Sequence, residues 1–448
     1  MKPGSKKLTA VGVLLIAWSV PSAIGQDVRA TLPDPELDAL VREAIAKSPE
    51  VAGAAAAAAA ARQRIVPAKT LPDPSVSLQY QNDGTSLTLG ERDMTFLGAM
   101  YSQPIPWPGK LKLAAEEAEK RAERVEAEDV ARARLAVEAR ARQTYWDLLL
   151  ARSMLDLVEE RRSAWRQIEA VARERYAAGL SIQQDVLRAQ VELLRLDEAR
   201  AEARATAMSR LAELNRLLGR PPETPIEIAR PLELRDDLPQ LGDLLAAARR
   251  KSPELAGAGR AIEVASRRVD LAKKDFYPDF TVSAGPMYRG GLDPMWQAGV
   301  GVTLPIFARS RQGPRFAAAT DERRSEEARA ASVALDLDLR TRERFERLKA
   351  ALEVARLYRD GVLAMDRLSL EAALASYRTG KAPFITVLEA LNALYADRET
   401  YLGRVAEAER WRVAIDEAEP GASSMANSTV AKPAAAAGSP AGTPMGMR

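Results

Sequence analysis

The 448-residue chain contains no cysteine and no histidine. Lack of cysteine rules out disulfides and a lipid-modified N-terminal cysteine, so an exported form must rely on packing or assembly. Lack of histidine removes the usual general base and the commonest metal ligand. No nucleophile or phosphate-loop motif takes their place. An enzyme, a cofactor and a metal site are therefore not expected. Aromatic residues are scarce, at 5%. Proline is missing between Pro108 and Pro221, and Gly179 is the only glycine at positions 110–218. Between Pro314 and Gly380 the only interruption is Gly361. These stretches lack the ordinary helix breakers. As one helix, residues 110–178 would span roughly 100 Å, which leaves a coiled coil or a membrane span. Frequent Arg and Glu exclude the span.

What is present fits that picture. Ala, Arg, Glu and Leu dominate, the composition of long helices packed by small residues. The first residues are different. Lys2, Lys6 and Lys7 precede an apolar run at 8–18 and then "VPSAIGQ", which reads as a secretory signal peptide cut after Gly25. The run is too short for a bilayer-spanning helix, which takes about 20 residues. Removing residues 1–25 removes three lysines and no acid, taking the formal charge from +3 to 0. Arginines alternate with glutamates and no one-sided basic block stands out, so nucleic acid is not an expected partner.

The chain also repeats itself. "KSPE" at 47–50 returns at 251–254, and "PDPSVS" at 72–77 is echoed by "PDFTVS" at 278–283. "QPIPWPGK" at 103–110 has a looser counterpart in "LPIFARSR" at 304–311, and "YAAGLSIQQDVL" at 176–187 in "YRTGKAPFITVL" at 377–388. The offsets are 204, 206, 201 and 201 residues, in constant order. We read a signal peptide at 1–25, a first repeat at 26–225, a second at 226–419, and a disordered Ala/Ser/Gly/Pro tail at 420–448.

Each repeat reads alike. Ser-Pro-Glu at 48–50 and 252–254 starts a helix: serine as N-cap, proline at the first position, an acid in the first turn. The alanines at 54–61 suggest close approach of a neighbouring helix. Alternation then replaces the helical period. Val76, Leu78 and Tyr80, then Phe280, Val282 and Ala284, then Trp296, Ala298, Val300, Val302 and Leu304 alternate with small or polar residues. A strand at 95–103 is placed mainly by the repeat. Long helices follow, with a seam at Ala151, Leu155, Val158, Trp165 and Ala172, then Ile182, Val186, Ala189, Leu193 and Leu196. Gly179 and Gly380 end helices at the far tips of two hairpins, and Gly219 before Pro221 closes the first return helix.

Four strands of about ten residues suit a transmembrane β-barrel, yet four cannot close one and open edges invite aggregation. Three chains would supply twelve. With the duplication, the paired strands, "LNRLLGRPP" and the two Y-x-x-G tips, the sequence resembles the TolC-type outer membrane efflux proteins over residues 32–417. "SQPIPWPGK" looks most like the heavy-metal branch of that family. The resemblance implies a mainly α fold with a small transmembrane β part. Tandem-duplicated coiled-coil hairpins would form a homotrimer, with a 12-stranded barrel in the outer membrane lipid and an α-helical tunnel in the periplasm. It implies an exit duct that docks a periplasmic adaptor and an inner-membrane pump, with heavy-metal cations or drugs as cargo.

The resemblance also implies sites. The family's G-L-S/T tip falls on Gly179, Leu180 and Ser181, while the second tip departs from it as Gly380, Lys381 and Ala382. Both are expected adaptor contacts. Entrance acids fall on Glu389 and on Thr386, which has lost its carboxylate. The closed-state network falls on Asp185 and Tyr377, with Ala382 where the family has arginine. Plainer readings stand beside these: Asp185 and Glu389 as solvated helix residues, Tyr176 and Tyr377 as packing at the turns, and methionines as core or tail. Trp107 and Phe307 fit interfacial belt residues and core residues equally well. An adaptor or other coiled-coil scaffold is the alternative function, and should show one hairpin between split β domains.

Overall fold

Ser48 and Ser252 cap helices as the Ser-Pro-Glu pattern predicts. Their hydroxyls accept from the N–H groups of Val51 (3.4 Å) and Leu255 (3.2 Å), with proline at the first position of each helix. The computed structural model describes residues 35–89, 91–228 and 230–417, all within the unit that begins at Pro35. The signal peptide expected at 1–25 and the tail expected at 420–448 lie outside the described residues.

Helices α1 (Pro35–Lys47), α2 (Pro49–Gln63) and the short α3 (Ile65–Lys69) lead into strands β1 (Ser75–Gln81) and β2 (Phe96–Ile105). Then α4 (Lys110–Val125) and α5 (Ala131–Ala177) run as one helix to the first tip, and α6 (Gln183–Leu217) returns. After a connector come α7 (Leu241–Lys251), α8 (Pro253–Lys274), β3 (Asp279–Arg289) and β4 (Leu292–Thr303). Helices α9 (Gln312–Leu357) and α10 (Leu363–Arg378) descend to the second tip, and α11 (Phe384–Glu417) returns. The long helices are not uniform, as the sequence had suggested. One π-turn at Glu126–Val130 separates α4 from α5, and another at Tyr358–Val362 separates α9 from α10. The first lies against Gly257 of α8, where a Cβ would collide with the Glu128 carboxylate. The second contains Gly361.

The strands form one antiparallel sheet in the order β1-β2-β3-β4. One face carries Val76, Leu78 and Tyr80, the cross-strand Leu97 and Tyr101, then Val282, Trp296, Val300 and Val302. It is open: Leu78 and Trp296 are both 79% exposed. The other face carries Ser77, Gln79, Ser283, Gly299, Gly301 and Thr303, with Phe96, Met100, Met287 and Met295 among them. That is the reverse of a soluble sheet, where the apolar face would be covered. Outer edges of β1 and β4 have no partner among the described residues. Where strands meet helices, Trp107 is half-buried, stacked on Tyr277 (5.1 Å) and Phe280 (5.9 Å), whereas Phe307 is exposed.

The two hairpins pack on each other through α5 and α11. The seam of α5 is shifted from the sequence reading. Ala151, Trp165 and Ala172 are buried, but Leu157 is buried where Leu155 and Val158 were expected, those two are half-buried, and Ile168 joins the seam between Trp165 and Ala172. On α6, Ala189 and Leu196 are buried, while Ile182, which precedes the helix with an extended backbone, is exposed. Of the alanines at 54–61, only Ala58 and Ala61 are buried. The connector is strapped down by charge: Arg235 pairs with the buried Glu409, and Arg412 with Asp237 at 2.9 Å.

Gly219 takes φ +61° at the end of α6, and the Arg220 N–H returns to the Asn215 carbonyl at 2.9 Å. This aims Arg220 at Glu43 of α1, which also accepts from Lys47 at 2.7 Å. The Arg220 hydrogen bonds, then those of Lys47, hold the Glu43 carboxyl down at about 2. A depressed carboxylate stabilises the fold above its unfolded value and loses that contribution as pH falls through the folded one. Glu43→Gln should therefore cost about 1 kcal/mol at pH 7, after allowance for solvent screening. In thermal unfolding of the detergent-solubilised protein, the gap from wild type should be full above about pH 4.5 and shrink toward pH 2.

Candidate functional site

Both hairpin tips end their descending helices with the same backbone device. At the first, Gly179 has φ +72°, and the N–H groups of Leu180 and Gly179 return to the carbonyls of Arg175 (2.8 Å) and Tyr176 (3.0 Å). At the second, Gly380 has φ +74°, and Lys381 and Gly380 return to Ser376 (2.8 Å) and Tyr377 (3.0 Å). A left-handed glycine with these two bonds is a Schellman termination, and a side chain there would be strained. What the tips display differs. The first exposes Tyr176, Leu180 at 65% and Ile182. The second exposes Arg378, Thr379 and Lys381, with Ala382 half-buried and its N–H on the Ser376 carbonyl at 3.2 Å. One tip is apolar, the other cationic.

Above the turns, α5, α6, α10 and α11 share a core that includes Trp165, Ala172, Ala189, Tyr377, Phe384 and Val387. Phe384 meets Tyr377 edge-on at 5.4 Å and Trp165 at 6.5 Å. Tyr377, 3% exposed, donates its hydroxyl to Asp185 Oδ2 at 3.4 Å. Burial, then the charge of Asp185, pushes the phenol up, so it remains a donor. Asp185 sits in the first turn of α6, where the helix dipole also favours a carboxylate. Ser181 reaches back to the Ala172 carbonyl at 3.4 Å. Tyr176, the counterpart of Tyr377, is instead exposed, so packing accounts for only one of the two tyrosines.

Arg175 ties one tip to the other. Its guanidinium donates to the Leu180 carbonyl of the first tip (2.9 Å) and the Arg378 carbonyl of the second (2.6 Å), and lies 4.8 Å from the centre of the Tyr377 ring. Sequence reasoning looked for an arginine at 382 and found alanine there. The cation comes from the other hairpin instead. The available signal was a mismatch between the repeats, where Arg175 aligns with Ser376 at the 201-residue offset.

Glu389 is exposed on α11, opposite the buried Phe384, Val387 and Leu391, and has no hydrogen bond or ion pair among the described residues. Thr386 donates its hydroxyl to the Pro383 carbonyl at 2.8 Å, within the first turn of its own helix. Among the described residues, no group of three or more acidic side chains is arranged to hold a metal ion, and no helix is long and apolar enough to cross a membrane.

One four-stranded sheet with two open edges among the described residues, two long hairpins and their tips are the parts of a duct, and comparison with known proteins agrees. The chain is 24% identical over 353 residues to the cobalt-zinc-cadmium resistance protein CzcC of Cupriavidus metallidurans, covering 79% of this chain and 82% of that one. It is 28% identical over 317 residues to the fusaric acid resistance protein FusA of Burkholderia cepacia, covering 64% and 58%. Among solved structures, the transmembrane channel CusC superposes with a TM-score of 0.71 at 17% identity, over 86% of this chain and 92% of that one. The outer membrane protein VceC of Vibrio cholerae gives 0.69 at 19%, over 86% and 96%. The profile of the outer membrane efflux proteins matches residues 40–220 and 244–418. The chain belongs to the outer membrane efflux protein family.

Proposed function

We propose that three copies of this chain form the exit duct of a tripartite efflux system, each giving its four strands to a twelve-stranded barrel in outer membrane lipid. The observation that carries this is the sheet, apolar and exposed on one face, mostly small or polar on the other, with both edges unpaired among the described residues. Pairing β4 of one copy with β1 of the next removes every edge, and the apolar face then meets lipid while the polar face lines the lumen. The helices support the same assembly. Leu187, Val191, Leu194 and Met208 of α6 lie at steps of four, three and fourteen, a heptad stripe left exposed, and α10 exposes Met365 and Leu368. Such stripes require a second helix, and a neighbouring copy supplies it.

In this reading the first tip, through Leu180, docks a periplasmic adaptor joined to an inner-membrane pump. The tandem repeats at 26–225 and 226–419 supply one hairpin each to the tunnel. Three copies of Glu389 form one ring near the entrance and favour cations. The cargo is heavy-metal cations, as in the resistance named for CzcC, or an organic compound, as in that named for FusA. A periplasmic adaptor is the poorer reading, since one hairpin between split β domains is not what this chain presents.

Mass measurement in detergent and planar-bilayer recording of the same preparation test the proposal. We expect a three-chain complex with mild cation preference. Glu389→Gln should move the reversal potential under a salt gradient toward the non-selective value. A stable soluble monomer recovered from periplasm would end the reading.

A further inference from the structure

The junction between β2 and β3 inside one chain is a template for the junction between two chains. There, Gln103 pairs with Val282, Pro104 with Thr281 and Ile105 with Phe280. Below the last pair sits a clasp. Asp279 accepts from the Trp107 N–H at 2.7 Å and from Lys110 Nζ through both oxygens at 2.9 Å. Trp107 covers it by stacking on Tyr277 and Phe280, and the Lys110 side chain is only 12% exposed.

The repeated phrases supply a second copy of each half of this clasp, at opposite edges of the sheet. "PDPSVS" at 72–77 sets Asp73 where "PDFTVS" at 278–283 has Asp279, and "LPIFARSR" at 304–311 sets Arg311 where "QPIPWPGK" at 103–110 has Lys110. Asp73 stands two residues before β1 and Arg311 eight residues after β4, immediately before α9, both exposed and without a side-chain partner among the described residues. Apolar residues beside them are open as well: Leu71, the counterpart of Tyr277, is exposed, with Ile306 at 74% and Phe307 at 68%. Strand β2 continues to Ile105, whereas β4 stops at Thr303, short of the matching Ile306. A strand with no neighbour on that side has nothing to hold its last residues extended.

Resting on the trimeric reading above, we infer that β4 of one protomer pairs with β1 of the next in the register that sets Val76 opposite Leu304 and Ser77 opposite Thr303, locked by an Asp73–Arg311 ion pair between protomers. The register follows by moving the β2–β3 pairs through the two offsets, 201 and 206 residues. It meets a condition that no step in its derivation imposed. Leu78 falls opposite Val302 and Tyr80 opposite Val300, all on the apolar face, while Gln79 falls opposite Gly301 on the polar face. A shift of one residue would have put each apolar side chain against the wrong face. On pairing, β4 extends through Ile306; at the same offset Ala308 stands where the template has Trp107, so the cover over the ion pair is smaller. The copy is weaker than its template, because Lys69 stands where Asp275 supplies a second carboxylate 3.6 Å from Lys110.

The native absence of cysteine makes the test clean. Directly opposed residues lie about 4.5–5.5 Å apart by Cα, within disulfide range, whereas a two-residue displacement gives about 7–8 Å, outside it. In outer membranes under mild oxidation, Ser77→Cys/Thr303→Cys and Val76→Cys/Leu304→Cys should each shift the full-length chain from monomer to covalent trimer on non-reducing gels. Ser77→Cys/Gly301→Cys should not. Asp73→Arg and Arg311→Asp should each lower the heat-resistant trimer about fivefold, and the double exchange should restore it. A trimer by mass that crosslinks only in the displaced pair overturns the register and leaves the duct intact. An in-register trimer that the double exchange does not restore overturns the clasp alone. A monomer by mass overturns the trimeric reading itself.

Discussion

Leu180→Asp should abolish efflux while trimer abundance in the outer membrane stays at the wild-type level. The side chain is 65% exposed at the first tip and belongs to none of the buried clusters. Its backbone N–H, which closes the turn on the Arg175 carbonyl, survives substitution. Folding therefore has little to lose. Docking loses much more: burying a leucine in an interface contributes about 1.5–3 kcal/mol per copy, and a carboxylate in its place adds an unpaired desolvated charge. In the proposed trimer both effects are repeated at each copy. Cells carrying the variant should fall to the resistance of a strain lacking the protein, measured with cobalt, zinc or fusaric acid, whichever the wild type protects against. Leu180→Ala should be intermediate. Unchanged resistance in Leu180→Asp removes this tip from the docking surface.

Arg175→Ala should produce a duct that spends far more time open. The guanidinium makes two charge-assisted bonds to carbonyls on different hairpins and lies over the Tyr377 ring. Together these are worth roughly 2–3 kcal/mol per tip at a half-exposed site, or roughly 30–150-fold in the closed-to-open ratio. Asp185→Asn should act in the same direction but more weakly, because its contact with Tyr377 is long, at 3.4 Å. Planar-bilayer recordings read the open fraction directly. Arg175→Lys separates charge from shape, since lysine cannot hold two divergent carbonyls and a ring face together. If Arg175→Ala opens no more often than wild type, the cross-hairpin link is packing and not a latch.

Much of this was legible because it depends on short-range backbone chemistry. Gly179, Gly219 and Gly380 end helices by taking positive φ, and serine before proline starts them, whatever lies around. Three of the strands were legible for a related reason, since alternation survives when one face meets lipid and the other a lumen, whereas β2 was placed mainly by the repeat. The seam of α5 was legible only approximately. Leu155 and Leu157 are two residues apart and equally apolar, and which one is buried depends on the angle at which α6 and α11 arrive.

Local sequence therefore determined where this chain turns, pairs and repeats, and that it is a member of a duct-forming family. Tertiary structure decided which groups meet across long separations. Arg175 and Arg378 are 203 positions apart, and Lys110 and Asp279 are 169 apart. No local rule selects such partners, because many arginines and aspartates are equivalent until helices and strands fix their positions. The π-turns belong to the same class, since Glu126–Val130 has an ordinary helical composition and widens where Gly257 leaves room for Glu128. Backbone preferences act over a few residues, whereas charge pairing and packing are settled only when the whole protomer closes.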